Sequence, residues 1–323
     1  MARIGMGETV RLIGLLDGTN ASGIARWRDR LLVVSDELTE RGNVVQAFEP
    51  DGTDYRAAAT NGLTVLDLPG ARPQEMDLEG LAVDGDDVYA VGSHSATRRK
   101  VDPAKTREKN RAALARPPEA KPARDVLLRV RFDAAGQVGP VERSGLRAFL
   151  DATEPFRSFG AAAGKENGVD VEGLAVRGDD LFVGFRGPLL RGNFTPVLRC
   201  RFGAPVADPE VLYVDLGGRG VRDLAAVGDR LLVLAGPVGD GPGSYQIYLW
   251  DGTDRAPGSD VTLDEAGLRL IGDVPLPPAS AGGPAPKPEG LAVTEDAADR
   301  WTVLVVFDGL RDAHAVRYRV PKA

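Results

Sequence analysis

The chain has 323 residues, with 40 Lys+Arg against 47 Asp+Glu for a net charge of −7, and 43% hydrophobic and 27% charged residues. That ordinary balance excludes a disordered or collagen-like chain. The 40 Gly and 23 Pro call for many tight turns and so for short strands rather than long helices.

In chain order, residues 8–16 (ETVRLIGLL) form a strand with no hairpin partner of its own. A unit then recurs five times, each copy an alternating segment, a polar turn and a second segment rich in β-branched and aromatic residues, which is a β-hairpin. The copies are 22–37 (SGIARWRDRLLVVSDE), 77–94 (DLEGLAVDGDDVYAVGSH), 170–187 (DVEGLAVRGDDLFVGFRG), 222–237 (RDLAAVGDRLLVLAGP) and 288–309 (PEGLAVTEDAADRWTVLVVFDG). Anchored on Ile24, Leu81, Leu174, Leu224 and Leu291, they are spaced by 57, 93, 50 and 67 residues, most of them about right for a four-stranded propeller blade. Third strands follow at 126–133, 197–203 and 245–252. The expected fold is an all-β, five-bladed propeller spanning 1–323 as one domain. Its N-terminal strand completes the last blade and so protects the sheet edges. The 93-residue gap leaves six blades as the alternative. It also holds a strandless insertion at 98–124, in which Asp102-Pro103 caps a short helix at 103–116 and Pro117-Pro118 stops it.

Residues that open the first strand and close the second share one end of an antiparallel hairpin. One face of the ring therefore collects Ser22, Glu79, Glu172, Arg222 and Glu289 from the openings, and Asp36, His94, Arg186 and Asp308 from the ends. Three glutamates around a small mouth repel unless a cation lies among them or a proton is taken up. A hard divalent ion such as Ca²⁺ suits carboxylate oxygens; internal neutralisation by Arg186 and Arg222 is the competing reading. The strand period of two places Glu79 on the side of Leu81 and Val83, which favours a role in pinning blades together. His94 is placed to act as acid, base or ligand, or else as a structural histidine, whereas His314 reads as structural. Arg186 and Arg191 bracket a rigid GPLL turn and suit either bidentate anion contacts or ion pairs with the glutamates.

The insertion carries ten basic residues against three acidic ones, +7, leaving −14 on the rest of the chain. Following directly on His94, it is expected over the same face, as a basic flap for a small anionic molecule or as a solvated arm. An acidic body with 6% aromatics argues against nucleic acid, and no apolar run is long enough for a membrane span. The first residues lack the apolar core and cleavage site of a signal peptide. A single cysteine, Cys200, rules out an intrachain disulfide. Together these features predict a cytoplasmic protein. There is no G-x-S-x-G, H-E-x-x-H, P-loop or dinucleotide fingerprint, and Trp250-Asp251 stands without the rest of a WD40 unit.

The strings 92–100 (GSHSATRRK), 170–192 (DVEGLAVRGDDLFVGFRGPLLRG) and 288–293 (PEGLAV) resemble an uncharacterised bacterial propeller family catalogued only as a domain of unknown function. More distantly, the Glu-Gly-apolar strand opening is similar to that of phytase-like esterase and gluconolactonase-type propellers. The lactonase-type resemblance implies metal ligation by Glu79, Glu172 and Glu289. The Asn and Asp ligands of such enzymes have no counterpart that can be placed here. The combined expectation is a metal-dependent hydrolase of a small anionic ester or phosphoester, with His94 moving a proton and Arg186 steadying the anion. Its alternative is a non-catalytic propeller that binds a ligand or protein partner.

Overall fold

In blades 2 to 4 the hairpin turns carry Gly85, Gly178 and Gly228 at φ of 57°, 61° and 58°. This left-handed geometry is open to glycine and lets two strands fold back with the right twist. The computed structural model describes residues 3–60, 62–67, 70, 72–133, 136–279, 285–310 and 315–322; His314 lies outside them. Five sheets result, antiparallel apart from one short parallel pair in blade 1. Their innermost strands are Ala21–Trp27, Leu78–Asp84, Asp170–Arg177, Gly220–Val227 and Lys287–Asp296, which open blades 1 to 5 in chain order.

The fifth sheet ends in Glu8–Val10, antiparallel to Ala315–Pro321. The chain start thus completes the last blade, as expected. Past Arg11, Leu12–Ile13 pairs in parallel with Asp54–Ala57 of blade 1, so one segment ties the first blade to the last. Five apolar clusters among the described residues fill the seams between neighbouring blades, and burial of these seams is the main force holding the ring.

The long gap contains no sixth blade. It holds the outer strands of blade 2, Leu127–Asp133 and Gly136–Ser144, the insertion, and the short helices Arg147–Ala152 and Phe156–Phe159. The insertion helix is Arg107–Ala115, capped by Thr106, whose Oγ1 accepts from the Lys109 amide at 3.3 Å. Asp102 instead caps a turn ahead of it, accepting from the Ala104 amide at 3.0 Å, so the helix begins four residues later than the Asp-Pro signal implies. The base of the insertion is closed by paired backbone bonds between Thr97 and Glu119, and Arg98 grips Glu166 at 2.5 and 2.9 Å.

Candidate functional site

Every inner strand carries a β-bulge two residues before its anchoring apolar residue. The ladder passes from Ala21 to Gly23, Leu78 to Gly80, Val171 to Gly173, Val221 to Asp223 and Pro288 to Gly290. The residues left out of register are Ser22, Glu79, Glu172, Arg222 and Glu289. A bulge adds one residue, breaks the alternation and re-aims a side chain. The pinning role drawn from the period of two for Glu79 therefore does not apply: Leu81 lies in a blade seam, while Glu79 joins a carboxylate cluster with Asp36 and Asp77.

The glycine after the bulge is there because of close approach. A side chain at Gly80 would meet Leu174 at 2.9 Å, and one at Gly290 would meet the Ser22 carbonyl at 2.6 Å. Blade 4 departs from this rule, with Asp223 in the glycine position. Its carboxylate, fully buried, accepts from the amides of Leu291 (2.6 Å), Leu224 (2.8 Å) and Leu174 (3.5 Å). It joins blades 3, 4 and 5 above a channel of about 120 Å³ lined by Leu81, Leu174, Leu224 and Leu291. Burial, against those three amides, pushes its acid well above the usual carboxylate range. Ser22 makes the corresponding link on the other side, its hydroxyl donating to the Leu78 carbonyl.

The mouth divides into two unlike halves. Across blades 3 to 5 runs an alternating chain, Asp170–Arg186–Glu172–Arg222–Glu289. Glu172 bonds Arg186 at 2.8 Å and Arg222 at 3.2 Å, Arg186 pairs with Asp170, and Arg222 with Glu289. Burial pushes Asp170 and Glu289 upward, with Arg186 and Arg222 respectively opposing. At the rim Asp308 pairs with Lys287 at 3.6 Å, and Arg191 is exposed on its turn.

The half formed by blades 1 and 2 lacks this neutralisation. Carboxylate oxygens of Asp36, Asp77 and Glu79 lie within 4.8 Å of one another. The positive charge beside them is Arg124, at the end of the insertion, which bonds Asp77 at 2.6 Å and also pairs with Glu75. Asp77 further accepts from the Ser93 hydroxyl. Asp36 has a buried Oδ1 with no hydrogen-bond partner among the described residues. Burial, then Glu289, Asp77, Glu37 and Asp308, raises its acid to about 9. Asp77 rises to about 7 through burial, against Arg124. Glu79 is driven well above the ordinary value by burial, with Glu172, Asp77, Asp36 and Glu289 all adding to the rise.

The structure thus brings Glu79, Glu172, Glu289, Asp36, Arg186 and Arg222 to one mouth, but groups them differently from the glutamate triad. Glu172 and Glu289 are held by arginines, while Glu79 faces two aspartates. His94 is corrected more sharply. It is 1% exposed; its Nδ1 bonds the Gly92 carbonyl at 2.8 Å and its Nε2 accepts from the Leu146 amide at 3.1 Å. Both ring nitrogens are engaged by backbone, and burial lowers the imidazole to about 4. The ring braces the loop behind blade 2 as a neutral group and holds no mobile proton. Asp77, Asp170, Asp223 and Arg124 were not singled out from the sequence. The first two recur as Asp-x-Glu in the two best hairpin copies, and Asp223 stands out as the one break in the glycine column.

Fold and mouth together define a five-bladed propeller with a carboxylate-rich opening, half of it neutralised by arginine. The chain belongs to the family described as "Protein of unknown function (DUF3616)", whose profile matches residues 20–319. No curated protein sequence matches significantly. Among solved structures, it is similar to the PQQ-bound aldose sugar dehydrogenase of Streptomyces coelicolor, at 15% identity and TM-score 0.40, over 98% of each chain. It is similar also to the exo-β-1,3-galactanase of Phanerochaete chrysosporium, at 8% identity and TM-score 0.48, over 99% of this chain and 65% of that one. A protein from Lactobacillus plantarum matches at 13% identity and TM-score 0.37, over 95% and 73%. No helix among the described residues is long and apolar enough to cross a membrane.

Proposed function

We propose that the mouth is the active site of a hydrolase acting on a small anionic ester or phosphoester, with a divalent cation such as Ca²⁺ held among its carboxylates. The observation that supports this reading is the charge imbalance of a buried site. Among the described residues, Asp36, Glu75, Asp77, Glu79, Asp170, Glu172 and Glu289 gather round three arginines, Arg124, Arg186 and Arg222. Buried carboxylates are kept ionised by opposite charge and otherwise take up protons. Such a cation polarises the scissile group and lowers the pKa of a bound water. Arg186 and Arg222 hold Glu172 in place, and Arg124 with Lys100 offers positive charge to the anionic substrate; Lys100 is near enough to ease the upward push on Glu37. A cytoplasmic location accords with Cys200 as a lone buried thiol.

The closed arginine–carboxylate chain of blades 3 to 5 favours a second reading, a non-catalytic propeller that binds a ligand or protein partner at this face. A screen of nitrophenyl phosphates, nitrophenyl esters and lactones with Ca²⁺, Mg²⁺, Mn²⁺ and Zn²⁺ separates the two. Cation-dependent turnover that Glu79→Gln abolishes supports the hydrolase. Ligand or cation binding without turnover of any of them supports the binding module.

A further inference from the structure

The half of the mouth between blades 1 and 2 has a geometry of its own. Oxygens of Asp36, Asp77 and Glu79 fall within 4.8 Å of one another. Ligands of one hard ion at 2.3–2.6 Å are separated by no more than about 5 Å, twice the ligand distance, so the three oxygens fit one coordination shell. A second observation is independent of that clustering. Glu79 is only 9% exposed, its carboxylate has no hydrogen-bond or ion-pair partner among the described residues, and it points at the two aspartates. Asp36, whose carboxylate supplies one of the three clustered oxygens, also has a buried Oδ1 without a hydrogen-bond partner among the described residues. Arg186 and Arg222 place their terminal guanidinium nitrogens on Asp170, Glu172 and Glu289, and neither forms an ion pair with Asp36, Asp77 or Glu79 among the described residues. What remains for the cluster is Arg124, which divides its guanidinium between Asp77 and Glu75.

We propose that Asp36, Asp77 and Glu79 form a binding site for one hard divalent cation of the Ca²⁺ type, off the propeller axis between blades 1 and 2, with Arg124 of the insertion as its resident counter-charge. The inference deepens the cation-assisted reading of the mouth and rests on it. It moves the ion away from the Glu79–Glu172–Glu289 triad, because two members of that triad already have cationic partners. It also ties the site to the basic insertion: a bound ion and Arg124 compete for Asp77, so occupancy weakens the hold of the mouth on the base of the insertion.

The test is Mn²⁺ binding by the full chain, followed by electron paramagnetic resonance and calorimetry on chelator-treated protein. One Mn²⁺ per chain is expected, displaced by Ca²⁺. Asp36→Asn and Glu79→Gln are each expected to lower affinity by at least about 10- to 100-fold, the loss typical even of outer-shell partners. Arg124→Gln is expected to raise affinity, an effect that a purely structural salt bridge would not give. Thermal melts check folding, and the two neutralising variants are expected to melt no lower than wild type without metal, since each relieves repulsion. Binding lost in Glu172→Gln but kept in Asp36→Asn overturns this site while leaving a cation-dependent mouth. No binding by folded wild type overturns both the site and the cation. A bound ion lost as described, with no ester turned over, removes the hydrolase alone and keeps the site.

Discussion

Asp223 gives the most direct check on how the ring is held. Replacing it by alanine removes the acceptor for the amides of Leu291 and Leu224 at 2.6 and 2.8 Å, and for Leu174 at 3.5 Å. All lie where the fold buries Leu174, Leu224 and Leu291 to about 1% exposure or less, so water has poor access to replace the lost acceptor. A buried donor left unsatisfied costs about 1–3 kcal/mol. The two close bonds therefore set the loss at about 4 kcal/mol, with the longer one adding little. Asp223→Gly restores the residue type that the other four blades use and adds about 1 kcal/mol of backbone entropy, so it should fold at a similar or slightly larger cost. Asp223→Asn keeps Oδ1 for Leu224 and Leu174 but turns an NH₂ toward the Leu291 amide, and should cost about 2–3 kcal/mol. Urea unfolding followed by circular dichroism reads these losses as a lower midpoint at unchanged slope. An alanine variant within about 1 kcal/mol of wild type would refute the claim that this carboxylate joins three blades.

Four further outcomes follow from the same geometry. His94, lowered to about 4 by burial, is protonated more readily in the unfolded chain. Its contribution is full above the unfolded value near 6.5 and is lost as pH falls toward 4, up to about 3 kcal/mol; His94→Asn, which tolerates the left-handed φ of 52°, should remove that component from the pH dependence measured by urea titration. Arg222→Met leaves Glu172 and Glu289 without their shared partner and should cost about 3–5 kcal/mol, read in the same assay. Glu79→Gln, which removes a buried carboxylate beside Asp36 and Asp77, should raise the stability of the metal-free protein at pH 8 and abolish any stabilisation by Ca²⁺ in a thermal-shift titration. Changing Lys100, Lys105, Arg107, Lys109 and Arg111 to Gln should weaken binding of anionic ligands at low salt and flatten its salt dependence; unchanged affinity would mean that the insertion is only a solvated arm.

Most of the architecture could be read from the residues. The five hairpins, the Gly-Asp turns of three of them and the use of the N-terminal strand to close the last blade all depend on local pattern and on the need to cover sheet edges. The insertion helix was visible, but its start was not: Asp102 and Thr106 are both good caps, and only the turn closed by the Ala104 amide on Asp102 chooses between them. The residues that open the inner strands meet at one end of the ring, but their grouping into pairs was hidden. The period of two assumes an unbroken ladder, and a bulge at each of the five opening residues resets it, so alternation misjudged where Glu79 points. Pairing is a second limit. Which glutamate meets which arginine depends on the rotation between blades, and Arg124 reaches Asp77 from 47 positions along the chain. His94 lies on the expected hairpin end, but the amide of Leu146, 52 residues away, takes the nitrogen that a proton shuttle would need.

The most direct measurement for the whole account is the anomalous difference map of a crystal soaked in Mn²⁺. A single strong peak bounded by Asp36, Asp77 and Glu79, with Arg124 drawn back from Asp77, is the predicted result. A peak on the axis beside Glu172 and Glu289, or a mouth without one at saturating Mn²⁺, would contradict it.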